Sequence, residues 1–486
     1  RAGVCEDLAL SPCENSCPLH MNIPRFLELV KEDRLEEAFL SVVLDNPLPA
    51  STGRVCQHPC DNRCRRAGID EAVNMRDVHR YIADSIYGSE RYEEVAAQVV
   101  AQKKPATGKR VAIVGAGPTG LACGFYCALL GHDAVIYDAN AQAGGMLRYA
   151  IPEYRLPKAT LDWELDLIRR MGVQFVFNTQ VGKDISLNEL DAQYDAVFLA
   201  IGTWKENWVY LPGTELEGVI PALPFLEGVA KGHALPLGKK VAVIGGGNAA
   251  IDSARTALRL GADVTIIYRR ERKDMPAIPE ETEAAEAEGA KLVFLATPHR
   301  IVGGPDGKVA AIEVATTTLG EYDKSGRRRP VTTDEIQRLA CDTVILAVGE
   351  AVDVDFAKAS GLKIKPNGLI EVDRYSLETS RPNFYAGGDL ISGASNVSNA
   401  MGYGKRAARY IDLRLTGVKR WKHLLPEFEI SQTVPAHPSE SRRHHARELP
   451  PEKRANSFAE AVIGLAPVEA MEESCRCLRC DIRNGD

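Results

Sequence analysis

A glycine-rich turn between a short apolar strand and a helix occurs twice in this chain, and no other feature constrains the fold as strongly. The first copy follows the apolar run 111–114, reads Gly115-Ala116-Gly117-Pro118-Thr119-Gly120, and leads through a helix to a strand that ends at Asp138. A strand, GxGxxG turn, helix, strand and acid bind a dinucleotide, with the pyrophosphate at the helix N-terminus and the ribose on the acid. The predicted site comprises Gly115, Gly117, Pro118, Gly120 and Asp138.

The second copy differs from the first at the end of its second strand. Its loop reads Gly245-Gly246-Gly247-Asn248-Ala249-Ala250, and its second strand runs into Tyr268-Arg269-Arg270 where the first copy has an acid. Because guanidinium groups match a phosphate, this exchange favours the 2′-phosphate of NADP(H) over NAD(H). A solvated basic edge is the alternative interpretation of the two arginines. The predicted second nucleotide site comprises Gly245, Gly247, Asn248, Ala249, Arg269 and Arg270.

Later strand ends complete the pattern of a two-domain flavoprotein. The apolar strand before Gly388 and Asp389 suits a flavin ribityl chain, and a helix that opens at Asn396 carries small residues such as Ala400. Apolar strand ends at 199–203 and 345–349 are typical of the two crossings between a flavin domain and an inserted nicotinamide domain. These crossings add Gly202 to the predicted flavin site and Ala347 and Gly349 to the predicted nicotinamide site.

The cysteines are concentrated at the two ends of the chain. There are 12, of which six lie in the first 64 residues and three in the last twelve. In the reducing compartment expected for a nucleotide enzyme, such groups are more often metal ligands than disulfides, which remain the alternative. We expect Cys123, Cys127 and Cys341 to be core thiols. Met146 stands after Gly144-Gly145 where disulfide reductases place a cysteine, so no redox disulfide is expected there.

Length and composition exclude several classes of protein. The chain has 486 residues, which suggests roughly three domains. Lys+Arg total 59 and Asp+Glu total 66, and this net charge of −7 argues against binding to nucleic acid or to a membrane surface by positive charge. No run of about 18 apolar residues occurs, so no membrane span is predicted. We therefore expect a cytoplasmic α/β protein.

Nine short motifs carry a resemblance that extends over nearly the whole chain. They are Cys13-x3-Cys17-Pro18, Asn46-Pro47-x-Pro49, Gly53-Arg54-Val55-Cys56, Cys60-x3-Cys64-Arg65, Gly144-Gly145-Met146-Leu147, Ile151-Pro152-x-Tyr154-Arg155-Leu156-Pro157, Tyr268-Arg269-Arg270, Met275-Pro276-Ala277 and Ala386-Gly387-Gly388-Asp389. With these motifs the chain resembles the glutamate synthase small (beta) subunit family. Its relatives include the N-terminal half of dihydropyrimidine dehydrogenase and the large subunit of NADH-dependent ferredoxin:NADP oxidoreductase. The resemblance adds Gly145, Met146, Leu147 and Arg155 to the predicted FAD site.

The resemblance also implies an order of domains. Residues 1–105 form a helical 4Fe-4S domain, in which apolar residues at helical spacing over 24–43 and 71–100 predict the helices. Residues 106–203 and 350–420 form a Rossmann-like FAD domain, and an inserted Rossmann-like NAD(P)H domain occupies 204–349. A C-terminal tail with a Cys-x2-Cys motif covers 421–486.

Two 4Fe-4S clusters beside FAD are implied by the same resemblance, and they need eight ligands, mostly thiolates. The family's N-terminal Cys-x2-Cys is missing here, and our hypothesis is that the tail folds back to supply it. A zinc hook or a partner-binding stub is the alternative for the tail, and a helix-surface histidine is the alternative for His79. The expected ligands are Cys13, Cys64, Cys477 and Cys480 for one cluster and Cys17, Cys56, Cys60 and His79 for the other, with Cys5 and Cys475 in reserve.

The function implied is electron transfer between NAD(P)H, FAD, the two clusters and a partner catalytic subunit. Hydride transfer between cofactors needs no protein acid or base, so no catalytic residue is expected. The expected partner is a larger catalytic subunit or a ferredoxin-like carrier in a hetero-oligomer. A stand-alone or bifurcating NAD(P)H:ferredoxin oxidoreductase is one alternative, and a non-catalytic redox-sensing or assembly module is another.

Overall fold

The computed structural model describes residues 10–207, 211–233, 235–323, 326–421, 426, 428–435 and 438–482. Cys5, one of the two reserve ligands, lies outside these residues. Within the described part of the chain no helix is both long and apolar enough to cross a membrane.

The N-terminal part of the chain is a compact set of helices. Asn22 and Asn74 begin two of them, since each side chain accepts a hydrogen bond from a first-turn backbone N–H. The apolar stretch 24–43 forms two helices instead of one, because the chain turns sharply at Asp33, whose φ is +56°. The helices are α1 (Pro12–Ser16), α2 (Ile23–Lys31), α3 (Leu35–Asp45), α4 (Pro49–Val55), α5 (Met75–Ile86) and α6 (Tyr92–Ala101).

Seventeen strands follow among the described residues. They are β1 (Arg110–Val114), β2 (Asp133–Tyr137), β3 (Gln174–Val176), β4 (Ala196–Leu199), β5 (Lys205–Glu206), β6 (Val219–Pro221), β7 (Lys240–Ile244), β8 (Asp263–Tyr268), β9 (Lys291–Phe294), β10 (Ala296–Gly303), β11 (Val309–Tyr322), β12 (Arg328–Ala340), β13 (Thr343–Leu346), β14 (Glu350–Ala351), β15 (Phe384–Ala386), β16 (Arg447–Glu448) and β17 (Val462–Gly464).

Two parallel five-stranded sheets organise the middle of the chain. The first has the order β15-β4-β1-β2-β3, and the second has the order β6-β13-β7-β8-β9. Strands β1 and β7 are apolar and buried beyond their first residue, as expected for parallel strands covered on both faces. A third, antiparallel sheet of β10, β11 and β12 extends from the second sheet, and β5 pairs with β14 where the chain crosses between the two parallel sheets. The predicted α/β fold with two Rossmann-like sheets is confirmed.

Helices cover both faces of these sheets. The longest helix, α16 (Val397–Thr416), packs along α7 (Pro118–Leu129). A β-carbon on Gly404 would lie 2.9 Å from the backbone N of Cys123, so the two helices touch through their backbones. The helices are α7 (Pro118–Leu129), α8 (Met146–Tyr149), α9 (Lys158–Arg170), α10 (Leu187–Gln193), α11 (Ala222–Ala230), α12 (Asn248–Arg259), α13 (Pro279–Ala287), α14 (Val354–Ala359), α15 (Asp389–Ser392), α16 (Val397–Thr416), α17 (Pro451–Arg454) and α18 (Pro467–Cys475).

The tail returns to the N-terminal helices. Helix α18 packs against α2 and α5. The Glu473 carboxylate accepts hydrogen bonds from the backbone N of Asn74 (2.7 Å) and of His444 (2.8 Å). Arg443 donates to Ala72 O (2.9 Å) and to Asp61 (2.8 Å). The last described residues therefore lie beside the first ones.

Candidate functional site

One cavity of about 810 Å³ runs between the two glycine turns. The two glycine turns, and the two crossings at 199–203 and 345–349, contribute residues to its wall, as the sequence pattern predicts. Of the predicted flavin residues, those on the wall are Gly115, Gly117, Pro118, Asp138, Gly145, Met146, Arg155, Gly202, Asp389, Asn396 and Ala400. All eight predicted nicotinamide residues lie on it, namely Gly245, Gly247, Asn248, Ala249, Arg269, Arg270, Ala347 and Gly349.

Three predicted flavin residues do not line the cavity but support its wall. A β-carbon on Gly120 would overlap the carbonyl oxygen of Gly115, so this glycine allows α7 to pack against the turn. Leu147 is fully buried in the core, and Gly388 packs against the side chain of Thr119. In the structure these three residues therefore have a packing role. The sequence pattern grouped them with the cavity residues because it does not distinguish a residue that contacts a ligand from one that supports the loop.

The first turn is shaped for close approach of a dinucleotide backbone. Gly145 has a φ of +52°, and a β-carbon there would lie 2.8 Å from the Cα of Gly117. Asp138 accepts hydrogen bonds from the backbone N of Ala116 (2.7 Å) and of Asn140 (2.7 Å). These bonds hold the carboxylate at the strand end, and its remaining lone pairs are available to ribose hydroxyls.

Arg155 has a partner that the sequence did not indicate. Its Nη1 atom donates to both carboxylate oxygens of Asp252 at 2.7 Å, and its Nε atom lies 3.0 Å from Glu281. Asp252 is on α12 and Glu281 on α13, so this buried ion pair joins the flavin side of the molecule to the nicotinamide side. Arg155 also lines the nucleotide cavity, so its assignment to the FAD site stays a prediction, and the ion pair adds a contact between the two nucleotide units.

The two arginines of the second site are not equivalent. Arg270 is buried, and its guanidinium donates to Arg328 O (2.8 Å) and to Asp323 (2.9 Å). Arg269 is exposed at the cavity wall, and no hydrogen bond or ion pair joins its side chain to any described residue. Arg327, from the loop between β11 and β12, lies on the same wall. The sequence did not indicate Arg327, because only the tertiary structure brings this loop to the second glycine turn.

Four of the predicted ligands surround a small cavity in the helical region, which we name the first cysteine cavity. Its walls include Cys17, Cys56, Cys60 and His79. Burial lowers the pKa of His79 to about 4, so the imidazole is neutral at physiological pH. Nδ1 lies 3.3 Å from the carbonyl oxygen of Met75 on its own helix. A proton on Nδ1 would leave the lone pair of Nε2 directed away from the helix.

This cavity adjoins the nucleotide cavity. Val55 and Gln57 line the nucleotide cavity, and Cys56 between them lines the first cysteine cavity. The Ser398 hydroxyl, on the helix that Asn396 opens, lies 3.1 Å from the Cys56 sulfur. The Asn396 amide donates to Gln57 Oε1 at 3.2 Å. Residues 55–57 therefore lie between the nucleotide cavity and the first cysteine cavity.

The other four predicted ligands surround a neighbouring cavity, the second cysteine cavity. Cys13 and Cys64 come from the N-terminal region, and Cys477 and Cys480 come from the tail. The tail is fixed by the ion pair of Arg476 with Asp70 (2.9 Å), and Arg476 also pairs with Glu473 of its own segment (2.6 Å). The two cysteine cavities share the side chains of Ile23 and Met75.

Burial desolvates several thiols of the two cavities. Burial raises the pKa values of Cys13 and Cys477 to about 12 and that of Cys60 well above its usual range, so they are neutral without a metal. The eleven cysteines within the described part of the chain are free thiols. No group of three or more His, Cys, Asp or Glu within that part is arranged around a single metal ion. Thiolates, with an occasional imidazole, are the ligands that iron–sulfur clusters take, and these are the donor types in both cavities.

The other cysteines of the described part of the chain line neither cavity. Cys475 is exposed and lines neither of them. Cys123 and Cys127 are buried one turn apart on α7, with sulfurs 3.9 Å apart, and Cys341 is buried as well.

Comparisons with known proteins agree with this architecture. The family model described as pyridine nucleotide-disulphide oxidoreductase matches residues 109–404, and the one described as dihydropyrimidine dehydrogenase domain II, 4Fe-4S cluster, matches residues 1–91. The chain is similar in fold to the oxidoreductase FprA of Mycobacterium tuberculosis in complex with NADPH, with a TM-score of 0.55, 19% identity, and coverage of 66% of this chain and 87% of that one.

Three curated relatives are similar over most of their length. The chain is 37% identical to the beta subunit of an NADPH-Fe(3+) oxidoreductase of Geobacter sulfurreducens, over 98% of this chain and 75% of that protein. It is 36% identical to the beta subunit of the NADP(+)-dependent formate dehydrogenase of Moorella thermoacetica, over 97% and 70%. It is 34% identical to the small chain of the NADPH glutamate synthase of Escherichia coli, over 82% and 87%. The chain therefore belongs to the glutamate synthase small-subunit family, and it is an NAD(P)H-dependent electron-transfer oxidoreductase with an FAD-type domain and a 4Fe-4S domain.

Proposed function

We propose that this chain is the subunit through which a larger enzyme exchanges electrons with NADP(H). When bound, FAD exchanges a hydride with the nicotinamide and single electrons with 4Fe-4S clusters. The observation that carries this proposal is the continuity of the three cavities. Cys56 lies between two residues of the nucleotide cavity wall, and Ile23 and Met75 are shared by the two cysteine cavities.

The nucleotide cavity supports the nicotinamide part of the proposal. The turn at Gly245–Ala249 offers backbone N–H groups to a pyrophosphate, and the ring of Tyr268 lies beside Gly246. No described residue forms a hydrogen bond or ion pair with the guanidinium of Arg269, which lies at the end of the second strand, where a 2′-phosphate would lie. These residues favour NADP(H) over NAD(H).

The cysteine cavities support two clusters. Cys17, Cys56, Cys60 and His79 would hold the one beside the flavin, and Cys13, Cys64, Cys477 and Cys480 would hold the outer one. The tail completes the second set because Glu473 and Arg476 fasten it to the helical domain.

A larger partner is supported by the names of the relatives. Two of them are beta subunits and the third is a small chain. We therefore propose a hetero-oligomer, in which a catalytic subunit exchanges electrons with the outer cluster.

The test is an iron count and an anaerobic NADPH titration of wild type and of the double variant Cys477→Ser/Cys480→Ser. Wild type should contain about eight irons, since each cubane holds four. The variant should contain about four, while NADPH still reduces its flavin.

The exposed Cys475, changed to serine, is the matched control and should retain about eight irons. Retention of eight irons in the double variant would contradict ligation by the tail. The proposed electron path would be contradicted if NADPH reduced the flavin of wild type but no signal of a reduced iron–sulfur cluster appeared in electron paramagnetic resonance.

A further inference from the structure

The second cysteine cavity is bordered by exposed cations. Cys64 lies between two short 3₁₀ turns, Asp61–Arg63 and Arg65–Gly68, and both Arg63 and Arg65 are exposed and line the cavity. The first cysteine cavity has no exposed residue on its wall within the described part of the chain. Of the two cysteine cavities, only the second therefore has exposed side chains on its wall within the described part of the chain.

The charged side chains that line this cavity, apart from its thiols, are arginines, although the chain as a whole carries −7. No carboxylate of the described residues lines the second cysteine cavity. Three carboxylates on the adjoining segments are already paired with arginines. The pairs are Asp61 with Arg443 (2.8 Å), Asp70 with Arg476 (2.9 Å) and Asp481 with Arg479 (3.0 Å).

The two exposed arginines are not used within the chain. Neither Arg63 nor Arg65 makes an ion pair or a side-chain hydrogen bond with the residues that the structure describes, and Arg65 lies within electrostatic range of Cys480. Glu71, Glu440 and Arg442 are exposed on neighbouring segments but lie outside the cavity wall. Two guanidinium groups are thus available beside the outer ligand set.

We propose that Arg63 and Arg65 form the docking contact for an acidic face of the protein that exchanges electrons with this chain. The inference rests on the proposed function, because it assumes an outer cluster held by Cys13, Cys64, Cys477 and Cys480. Guanidinium groups pair with carboxylates through two parallel hydrogen bonds, which fixes orientation as well as proximity. To complement the two arginines, the partner presents Asp or Glu side chains around its own redox centre. Such exposed charges act mainly on the rate at which the two proteins associate.

Two small electron acceptors of opposite charge measure the field at this opening. One NADPH gives NADP⁺, one proton and two electrons, which reduce two ferricyanide anions or two hexaammineruthenium(III) cations by one electron each. In Arg63→Gln/Arg65→Gln, the ferricyanide rate should fall about threefold or more at low ionic strength, and the hexaammineruthenium rate should rise. Both differences should shrink at about 0.5 M salt, where the Debye length is a few ångströms.

A protein pair extends the test, with a plant-type acidic ferredoxin and the basic cytochrome c as acceptors. The double variant should lose rate with ferredoxin and gain rate with cytochrome c. The matched control is Lys358→Gln/Lys363→Gln, which removes two exposed charges elsewhere and should change neither rate.

The outcomes separate the docking surface from the proposed function. If Arg63→Gln/Arg65→Gln contains about eight irons and keeps all four rates, the docking surface is refuted while the electron path stands. If wild type contains only about four irons, both are refuted. In a Cys477→Ser/Cys480→Ser background the arginine changes should have no effect, and an undiminished effect there would refute docking at the outer cluster.

Discussion

At the scale of single residues, the surroundings of His79 suit the iron ligation that we propose for it. The ring is buried, its Nδ1 atom faces the carbonyl of Met75, and its Nε2 atom lies 3.4 Å from the hydroxyl of Thr52. That hydroxyl donates to Leu48 O at 2.8 Å and therefore has no proton left for the imidazole. Nε2 then keeps its lone pair in the cavity, where a neutral imidazole can ligate iron.

Substitution of His79 tests this assignment. His79→Ala should lower the iron content below about eight per chain or shift the potential of one cluster. His79→Cys should retain the iron and lower that potential by on the order of 100 mV, because a thiolate carries a negative charge that imidazole lacks. The measurement is iron content together with a redox titration followed by electron paramagnetic resonance.

His58 provides the control, since it lines the same cavity with its two ring nitrogens facing Asp61 (3.3 Å) and Glu280 (3.6 Å). His58→Gln should retain the full iron content. Full iron and unchanged potentials in His79→Ala would rule the histidine out as a ligand.

Arg269 determines the choice of nicotinamide in our proposal. Arg269→Gln should raise the KM for NADPH by about tenfold or more, the effect of removing roughly 1.5–3 kcal/mol of charge-assisted hydrogen bonding. The KM for NADH should change little, because NADH has no 2′-phosphate. Steady-state kinetics with both nucleotides is the measurement, and Arg272→Gln is the control because Arg272 is paired with Glu286 and does not line the cavity. Equal effects on both nucleotides would identify a general loss of binding instead.

At the scale of elements, a side chain from the flavin side begins a helix of the cluster domain. Helix α4 has no side-chain cap of its own at Leu48. The Glu164 carboxyl, on α9, accepts hydrogen bonds from the backbone N of Ala50 (2.7 Å) and of Ser51 (3.0 Å) and from the Ser51 hydroxyl. This contact spans more than a hundred residues of sequence, and it places α4, which leads directly to Cys56, against the flavin domain.

Glu164 should give the stability of the protein a distinctive pH dependence. Burial raises its pKa from the usual 4.5 to about 8. Between these two values the folded protein binds one more proton than the unfolded chain, so the free energy of unfolding falls as pH rises through this window. One proton corresponds to a slope of about −1.4 kcal/mol per pH unit.

Glu164→Gln should remove this contribution, and denaturant unfolding at several pH values between 5 and 8.5 measures it. Glu189, an exposed carboxylate that caps α10, provides the control as Glu189→Gln. Parallel pH profiles for wild type and Glu164→Gln would show that the carboxyl is ionised in the folded protein throughout.

At the scale of the whole molecule, one buried ion network joins the three parts of the chain. Arg155 and Asp252 cross between the two nucleotide halves. The Tyr154 carbonyl beside them accepts a hydrogen bond from the backbone N of Ala461 in the tail at 2.9 Å. Arg259 donates to the tail at Ser457 O at 2.9 Å. The same tail carries Cys477 and Cys480, so the segment proposed to complete the outer ligand set also contacts the nucleotide halves.

Removing one charge of the Arg155–Asp252 pair should lower the free energy of unfolding more than removing both charges. Asp252→Asn removes the carboxylate that accepts two hydrogen bonds from Arg155 and leaves Glu281 as the remaining carboxylate partner among the described residues, so it should destabilise the protein by up to about 3–5 kcal/mol. The double change Arg155→Met/Asp252→Leu removes both charges and should be milder. Thermal unfolding measures stability, and stopped-flow reduction of the flavin by NADPH measures whether the two halves remain aligned. If the single variant were no less stable than the double one, the pair would not contribute as inferred.

Sequence alone predicted the two dinucleotide units, because turn, helix and strand follow one another within thirty residues and short-range geometry decides their form. It also indicated the cysteine groups and, through family resemblance, their division between two clusters. The tertiary structure decided which groups share a cavity with which partners. Arg155 faces Asp252, Arg270 faces Asp323, and the 24–43 stretch turns at Asp33.

These outcomes depend on contacts between residues distant in the chain, and no local pattern encodes them. Glu164 reaches α4 and Glu473 reaches Asn74 across such distances. A carboxylate looks the same in sequence whether it caps a distant helix or faces water, because burial and partner are fixed only when the elements pack. The sequence determined the chemistry available at each position, and packing decided which of those groups meet.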